Sequence, residues 1–465
     1  MLDLLIRGAL TVDPESGFCS RADIGIEDGV IVRVAESVGE PAETVFDAEG
    51  LAAVPGLIDT HLHLAPHPYG ERMAAASGVT TCVEMAGPAD RVFAGKLSDG
   101  CGLSVAVLNA VLPGTNVGGR DPSAAELDDF IERSLSEGSF GVKLLGGHFP
   151  LTPEASARMV EESARLGVYM AWHAGTLTAG SDIDGMRQAV ELAEGRPFHL
   201  AHINAYCRGR VRSELAECEE ASSLLRAHPE IVTESYLSAR SGAPLVRDEN
   251  GDPLSKVVCG NLRRFGFTPD RKGLRQAVLD GVLSVILPED GMLKLVSGRS
   301  GADALEEGRA ADGSFDRVNP AVSRVYFATA RRDDGTFLVD GIATDGGAIP
   351  RNVIAEAGLA LVGLSALTLT EFAAKTSLIP ARMLGLEGKG HIAPGFDADI
   401  TLLSVKEHRA AASFAAGRPV LLNGRVVGQG GSVLCTEQGA AAVRRAGLTP
   451  QVLNGGIPAL SRCFG

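Results

Sequence analysis

Val54–Pro55–Gly56–Leu57–Ile58–Asp59–Thr60–His61–Leu62–His63 is the stretch from which the rest of this chain can be read. An apolar run, Leu51 to Ile58, ends in a polar tip that carries two histidines two residues apart. On a strand, alternate side chains share a face, so His61 and His63 point the same way. Neutral imidazoles are the commonest metal ligands, and two of them converging at a strand end make half of a zinc site. The plain alternative is a pair of loop histidines, or core histidines satisfied by backbone carbonyls. A buried apolar strand ending in both favours the metal reading.

Downstream, strand and helix patterns alternate. Candidate strands lie at 57–63, 79–85, 104–110, 140–145, 168–173, 198–204, 231–238 and 341–345, with helical patterning between several of them, as at 153–166 and 185–194. Eight strands alternating with helices imply a (β/α)8 barrel, whose chemistry sits at the C-terminal strand ends. Residues 1–53 read instead as short strands and tight turns: Leu4 to Val12, Ala22 to Glu27, and Val30 to Ala35 after Asp28–Gly29. Such a piece needs a second sheet to bury against. Residues 391–436 repeat the idiom in Ala398 to Leu403, Pro419 to Leu422, the Asn423–Gly424 turn and Arg425 to Gly428. The expected organisation is a small β-sandwich built from 1–53 and 391–436 around a barrel at 54–390. An excursion at about 240–340 (a helix near 271–280, an apolar run at 282–287) is too long for an ordinary loop and is read as covering the site. The tail, 437–465, carries no clear pattern.

The composition is that of a globular enzyme: 465 residues, 45% hydrophobic and 22% charged. A net charge of −15 argues against nucleic acid or an anionic membrane as partner. The cysteines at 19, 82, 101, 207, 218, 259, 435 and 463 form no CxxC pair and no secreted disulfide framework. With no basic leader after Met1 and no bilayer-length apolar run, the expectation is a cytoplasmic, reduced protein.

The strand ends supply further metal-capable groups. Gly141–Val142–Lys143–Leu144–Leu145 buries a lysine, which is costly without a partner. Either Lys143 sits in a buried salt bridge, or it is carbamylated by CO2 and its carboxylate bridges two cations. Its company favours the bridge. The fifth strand ends Ala171–Trp172–His173, and the sixth runs His199–Leu200–Ala201–His202–Ile203–Asn204. If that strand is regular, His199 and His202 fall on opposite faces. His202, nearer the C-terminal end, is chosen as the ligand, and His199 is assigned to the helix layer. Asp345 follows the apolar Val339–Ile342 run. It reads either as a helix N-cap or as a metal-bound aspartate that takes a proton from attacking water. Glu289–Asp290 compete for this place and rank below it.

These residues resemble the amidohydrolase superfamily over nearly the whole chain. Pro55–Gly56–Leu57–Ile58–Asp59–Thr60–His61–Leu62–His63 is similar to its opening barrel strand, and Gly78–Val79–Thr80–Thr81 to its second-strand motif. Pro380–Ala381–Arg382, Gly388–Lys389–Gly390–His391–Ile392 and Pro394–Gly395–Phe396–Asp397–Ala398–Asp399–Ile400 resemble its return to the sandwich. The resemblance implies His61, His63 and Asp345 on one zinc, His173 and His202 on a second, and a carboxylated Lys143 bridging both. A hydroxide between the metals would be the nucleophile, and Asp345 would pass its proton to the leaving nitrogen. Manganese, cobalt or nickel would suit the same ligands. Lys143 is similar to the bridging lysine of hydantoinases, dihydroorotases and isoaspartyl dipeptidases. Phe149–Pro150–Leu151–Thr152–Pro153, the reach from His173 to His202, Tyr236 and the long segment before Asp345 look more like N-acyl-D-amino-acid deacylases. Those enzymes use a cysteine after the second strand, where this chain has Glu84–Met85–Ala86–Gly87 and where Cys82 comes too early.

The expected function is therefore metal-dependent hydrolysis of a non-peptide C–N bond in a cyclic amide or an N-acyl amino acid. Arg208, Arg210 and Arg351 are candidates for holding a substrate carboxylate, with Arg351 preferred for its closeness to Asp345. His148 and Tyr236 could hydrogen-bond the substrate or the developing oxyanion, and His67 is as easily ordinary loop. Two rivals remain. A deaminase of an aminated heterocycle would want a glutamate near the sixth strand, which reads Ile203–Asn204–Ala205–Tyr206 instead. A non-catalytic scaffold would be expected to have lost ligands. The resemblance also implies a homo-oligomer.

Overall fold

In a computed structural model, which describes residues 1–457, the interior of the chain forms eight parallel strands around a common axis. We number them β1 (Leu57–His63), β2 (Val79–Glu84), β3 (Cys101–Ala110), β4 (Gly141–Leu145), β5 (Tyr169–His173), β6 (His199–Leu200), β7 (Val232–Tyr236) and β8 (Gly341–Ala343). Hydrogen bonding runs in order from β1 to β8, and Gly346–Gly347, just past β8, pairs with Leu62 and His63 of β1 to close the ring. This is the (β/α)8 barrel expected from the alternation of patterns. The helix at Pro153–Leu166 shows how the sequence punctuates it. The Thr152 hydroxyl accepts from the Ala155 amide at 3.1 Å, proline occupies the first turn, and Gly167 ends the helix at φ +64°. Ile58, Val83, Met85, Leu108, Phe140 and Tyr169, with Leu384 from the helix region beyond β8, belong to one buried apolar cluster.

The two ends of the chain share one nine-stranded mixed sheet. Ile400–Ser404 runs antiparallel to Ala52–Pro55, which lies beside Leu2–Asp13. A single apolar core (Ile6, Ile24, Ala53, Ile400, Leu402, Phe414 among others) draws on both ends, as a small terminal sandwich requires. The motif residues that precede and follow the barrel lie at its junction with this sheet. The Gly56 amide donates to the Asp399 carbonyl at 2.7 Å, Thr401 Oγ1 accepts from the Leu57 amide, and Lys389 Nζ lies 2.7 Å from Asp399 Oδ2.

Two boundaries differ from the sequence reading. Gly430–Cys435 does not join the terminal sheet. It pairs in parallel with the first half of β3, and Thr449–Val452 pairs with it, so this part of the chain branches from the barrel sheet at β3. The tail also contains a short helix, Ala440–Arg445, while its last residues, 458–465 including Cys463, lie outside the described residues. The excursion is real but shorter than 240–340. Ser241–Pro244, Asp312–Phe315, Leu283–Glu289 and Met292–Val296 form a separate antiparallel sheet with its own core of Val258, Leu262, Leu274, Val285 and Phe315. By Ala321–Thr329 the chain is back in the helix layer, where the Ser222 hydroxyl lies 3.2 Å from that of Tyr326. The inserted sheet docks over the barrel through Ile286 and Leu293 against Ala348. Among the described residues no helix is long and apolar enough to cross a membrane.

Candidate metal centre

At the C-terminal end of the barrel, His61 and His63 extend from β1 toward Asp345, which follows β8. His63 Nε2 is 3.0 Å and His61 Nε2 3.5 Å from Asp345 Oδ1, and ligand atoms of the three residues lie within 4.8 Å of one another. The other nitrogen of each ring faces a carboxylate. His61 Nδ1 is 2.7 Å from Glu234 Oε1 on β7, and His63 Nδ1 is 3.8 Å from Glu84 Oε1 on β2. Such a carboxylate fixes the tautomer that leaves Nε2 free to ligate. His202 stacks on His61 at 4.8 Å between ring centroids, and its Nε2 is 3.0 Å from His173 Nδ1. Buried His202 Nδ1 has no hydrogen-bond partner. Two imidazole nitrogens that face each other across 3.0 Å, next to a His–His–Asp cluster, form a donor set that suits divalent cations.

Local backbone shape brings these groups together. His202 has φ +37° and Asp345 φ +53°, left-handed conformations that non-glycine residues hold at a cost of about 1–3 kcal/mol and that concentrate at functional sites. The turn at His202 ends β6 after only two residues and corrects the expectation for His199. His199 pairs in register with Ala171, itself beside Lys143. Its Nε2 hydrogen-bonds Glu234 Oε2, and its Nδ1 is 2.9 Å from the Tyr169 hydroxyl. It therefore lies inside the barrel, not in the helix layer, and both histidines of this strand face inward because the strand is not regular. Gly147 matters for a similar reason. A Cβ there would come within 2.3 Å of His173 Nε2, the atom that meets Ser181 Oγ at 2.7 Å.

Lys143 is fully buried on β4, and the hydrogen-bonding contact described for its amine is Met85 Sδ at 3.4 Å, a weak acceptor. Burial pulls its pKa down to about 8, although Glu234, Asp345 and Glu84 oppose this. Burial and the Lys143 charge bring His61 down to about 4. Burial works against the charged form of His63 too, but Asp345 and Glu84 hold it up at about 9. Burial would raise Asp345, yet Arg351 and the surrounding imidazoles keep it well below the usual carboxylate range.

Glu84 and Glu234 were not assigned roles from sequence. Glu84 accepts backbone N–H groups from Leu64, Ala65, Ala86 and Gly87 at the end of β2, in the stretch where the deacylases this chain resembles carry a cysteine. Glu234 meets His61, His199 and, at 2.8 Å, the His202 amide. Its signal was present, since Glu234 shares a strand face with Tyr236 by the period of two. Asp59, in the opening motif, hydrogen-bonds the Thr344 hydroxyl at 2.5 Å and the His61 amide at 3.1 Å, joining β1 to the end of β8.

A cavity of about 1110 Å³ opens above this cluster, lined by all six expected ligands together with His148, Arg208, Arg210 and Arg351. Arg351 differs from its expected part. Its Nη2 is 2.5 Å from Asp345 Oδ2 and its Nε donates to the Asp345 carbonyl, so it is engaged by that residue. Tyr236 is buried, with its hydroxyl 3.0 Å from Asn319 Oδ1 and 2.8 Å from Arg208 Nη2. His148 lies edge-on to His173 at 5.5 Å, and His67 lines the cavity wall. Glu289 and Asp290 lie in a hairpin of the inserted sheet, beside Lys294, and not at the cluster.

Residues 321–427 match the model of the amidohydrolase family. A dihydroorotase of Pelotomaculum thermopropionicum is 26% identical over 460 residues, an alignment that covers 92% of this chain and 95% of that one. Among solved structures, a D-aminoacylase superposes with a TM-score of 0.65 at 16% identity over 92% of this chain and 98% of its own. A D-hydantoinase superposes at 0.60 and 17% over 98% and 99%. At such identities the superpositions speak for the fold.

Proposed function

Because the chain belongs to the amidohydrolase superfamily, we propose that it hydrolyses a non-peptide amide bond of a small molecule, a cyclic amide or an N-acyl amino acid, at a pair of divalent cations. In this reading His61, His63 and Asp345 would hold one cation, His173 and His202 the other, and Lys143, once carboxylated, would offer its carboxylate to both. Zinc is the metal of choice for this nitrogen and oxygen donor set. The cations, when bound, supply Lewis acidity that polarises the substrate carbonyl and lowers the pKa of water. The observation that carries the reading is Lys143, a fully buried amine whose charge acts on His61, His173 and His202, with a thioether sulfur as its described hydrogen-bonding contact. An unpaired buried ammonium is unfavourable. A pKa of about 8 leaves part of the amine neutral near physiological pH, the form that adds CO2.

The chain's own residues then divide the work. Asp345 takes a proton from the attacking water and delivers it to the leaving nitrogen. Glu234 and Glu84 hold the two β1 imidazoles with Nε2 forward. Tyr236 accepts from the Arg208 guanidinium and donates its one hydroxyl proton to Asn319 Oδ1, which holds these three side chains together on the cavity wall. Arg351 fixes the Asp345 carboxylate.

The test is a mass-spectrometric panel on enzyme supplied with zinc and bicarbonate. It offers hydantoins and dihydropyrimidines, N-acyl-D- and L-amino acids, and aminated heterocycles. Addition of one water without fragmentation identifies a cyclic amidase, and release of an acyl group a deacylase. Ammonia from the heterocycles alone would overturn the proposal.

A further inference from the structure

Each imidazole of the cluster is held by what its other ring nitrogen meets. For His61 and His63 that is a carboxylate, of Glu234 and Glu84. The other two rings differ. Buried His202 Nδ1 has no hydrogen-bond partner. His173, whose Nδ1 lies 3.0 Å from His202 Nε2, turns its own Nε2 to a hydroxyl, Ser181 Oγ, at 2.7 Å. Among the described residues, Ser181 is the one side chain outside the cluster that hydrogen-bonds either ring of this pair. It stands behind His173 as Glu234 stands behind His61.

The loop that carries Ser181 is built to keep it there. After β5, the Thr176 amide donates to the Ala179 carbonyl at 2.8 Å. The Thr176 hydroxyl, 2.6 Å from Gln188 Oε1, also accepts from the Thr178 amide at 3.1 Å. The turn then lies directly on the next helix, Ile183–Ala193, where a Cβ at Gly185 would come within 1.8 Å of the Gly180 carbonyl oxygen. Asp182 caps that helix, accepting from the Asp184 and Gly185 amides at 3.1 and 3.2 Å. Ser181 is thus fixed between a turn seated on the helix and the cap of the same helix. Gly147 leaves the Nε2 edge of the His173 ring room to reach the hydroxyl, since a Cβ there would come within 2.3 Å of that nitrogen. Tyr206 ties the ends of β5 and β6, which bear the two rings, by accepting from the Ala174 amide at 2.8 Å and donating to the Ala201 carbonyl at 2.9 Å.

A hydroxyl 2.7 Å from an imidazole nitrogen is also how a serine nucleophile meets its base. In that arrangement a third group orients the base through its second nitrogen. Here that nitrogen, Nδ1, faces His202 Nε2 inside the ligand cluster, which suits a metal ligand and not a base. We propose that Ser181 is the positioning residue of the second cation position: its hydroxyl accepts from His173 Nε2–H, and so fixes the tautomer and ring angle that present the Nδ1 lone pair to the cation. Being neutral, it orients the ring without adding to the carboxylates of Glu84, Glu234 and Asp345 around the cluster. The proposal rests on the two-cation reading above.

The experiment is calorimetric titration of the full, metal-free chain with zinc in bicarbonate buffer, against a competing chelator. The parent should take up two equivalents. Ser181→Ala should weaken one of them roughly 10- to 100-fold, the loss that follows removal of an outer partner of a metal-bound imidazole, and leave the other unchanged. Ser181→Thr keeps the hydroxyl and should keep both parental affinities. Histidine nitrogen NMR of the metal-free parent needs no variant of Ser181: the His173 signal, assigned by its disappearance in His173→Gln, should show the proton on Nε2. Parental affinities in Ser181→Ala, equal losses in the alanine and threonine variants, loss at both equivalents, or a proton on Nδ1 would each overturn the assignment. So would covalent capture of Ser181 by a fluorophosphonate, which marks a nucleophile. If the parent takes up only one zinc, the two-cation reading fails and the assignment falls with it. If the parent takes up two and Ser181→Ala keeps both affinities, the reading stands and the assignment alone fails.

Discussion

Glu234 is the residue whose removal tests the organisation of the metal centre most directly. Its carboxylate accepts from His61 Nδ1 at 2.7 Å, from the His202 amide at 2.8 Å and from His199 Nε2, all in a fully buried setting. Alanine at this position strands three donors. Leaving buried donors unpaired costs about 1–3 kcal/mol each, and breaking a buried charged network typically costs about 3–5 kcal/mol in total. Glutamine separates charge from shape. Its oxygen can keep His61 and the His202 amide, and its NH2 can face His199 Nε2 if that ring moves its proton to Nδ1, toward the Tyr169 hydroxyl. Glu234→Gln should therefore fold nearly as stably as the parent while losing the carboxylate that makes His61 a basic ligand, lowering metal affinity roughly 10- to 100-fold. Urea unfolding of the metal-free proteins and competition with a chelating dye read the two quantities. Metal affinity unchanged in Glu234→Gln, or stability unchanged in Glu234→Ala, would refute the reasoning.

Three further outcomes follow from the same geometry. Lys143 titrates near 8 in the fold against an ordinary value of 10.5, so between these values the unfolded chain binds the additional proton. The stability of the metal-free protein should therefore rise with pH across that window relative to Lys143→Met; parallel urea titrations at either end check this, and a constant difference would contradict it. His63, held near 9, is protonated in the metal-free protein at neutral pH, so metal binding should release its proton and strengthen as pH rises toward 9. Calorimetry in buffers of different ionisation enthalpy counts that proton, and its absence would count against His63 as a ligand. Arg351→Met removes the cation that holds the Asp345 carboxyl down, so the acidic limb of the kcat/KM profile should move to higher pH; an unmoved limb would separate Asp345 from the essential base.

Much of this was legible in the sequence, where local rules hold. The period of two placed His61 with His63, and the apolar run around Lys143 marked it as buried. The 3.6-type patterning marked a helix at 153–166 that the structure reproduces residue for residue. The sixth strand failed because the period applies only to extended backbone, and His202 turns into left-handed space after two residues of strand. Gly430–Cys435 was assigned to the wrong sheet because its composition suits either. Pairing with Cys101–Ala106, more than three hundred residues away in sequence, decides between them. Proximity to Asp345 in the sequence points to Arg351 as a substrate fork, and in the protein the same proximity engages it with that carboxylate.

The distribution of charge ties the metal centre to the cavity above it. Around the histidines lie Asp345, Glu84 and Glu234, all held ionised, and without metal their compensation comes from Arg351, a protonated His63 and part of Lys143. Protons on His63 and Lys143 are removable, whereas the guanidinium of Arg351 is not. The site is thus arranged to exchange protons for cations while keeping one permanent charge on its aspartate. That arrangement assigns Arg351 to the metal side and Arg208 to the Asn319–Tyr236 pair on the cavity wall. One cavity thus has an acidic floor around removable protons and a wall of mixed charge, where Arg208, Arg210, Arg264 and Lys256 stand beside Glu214 and Asp312.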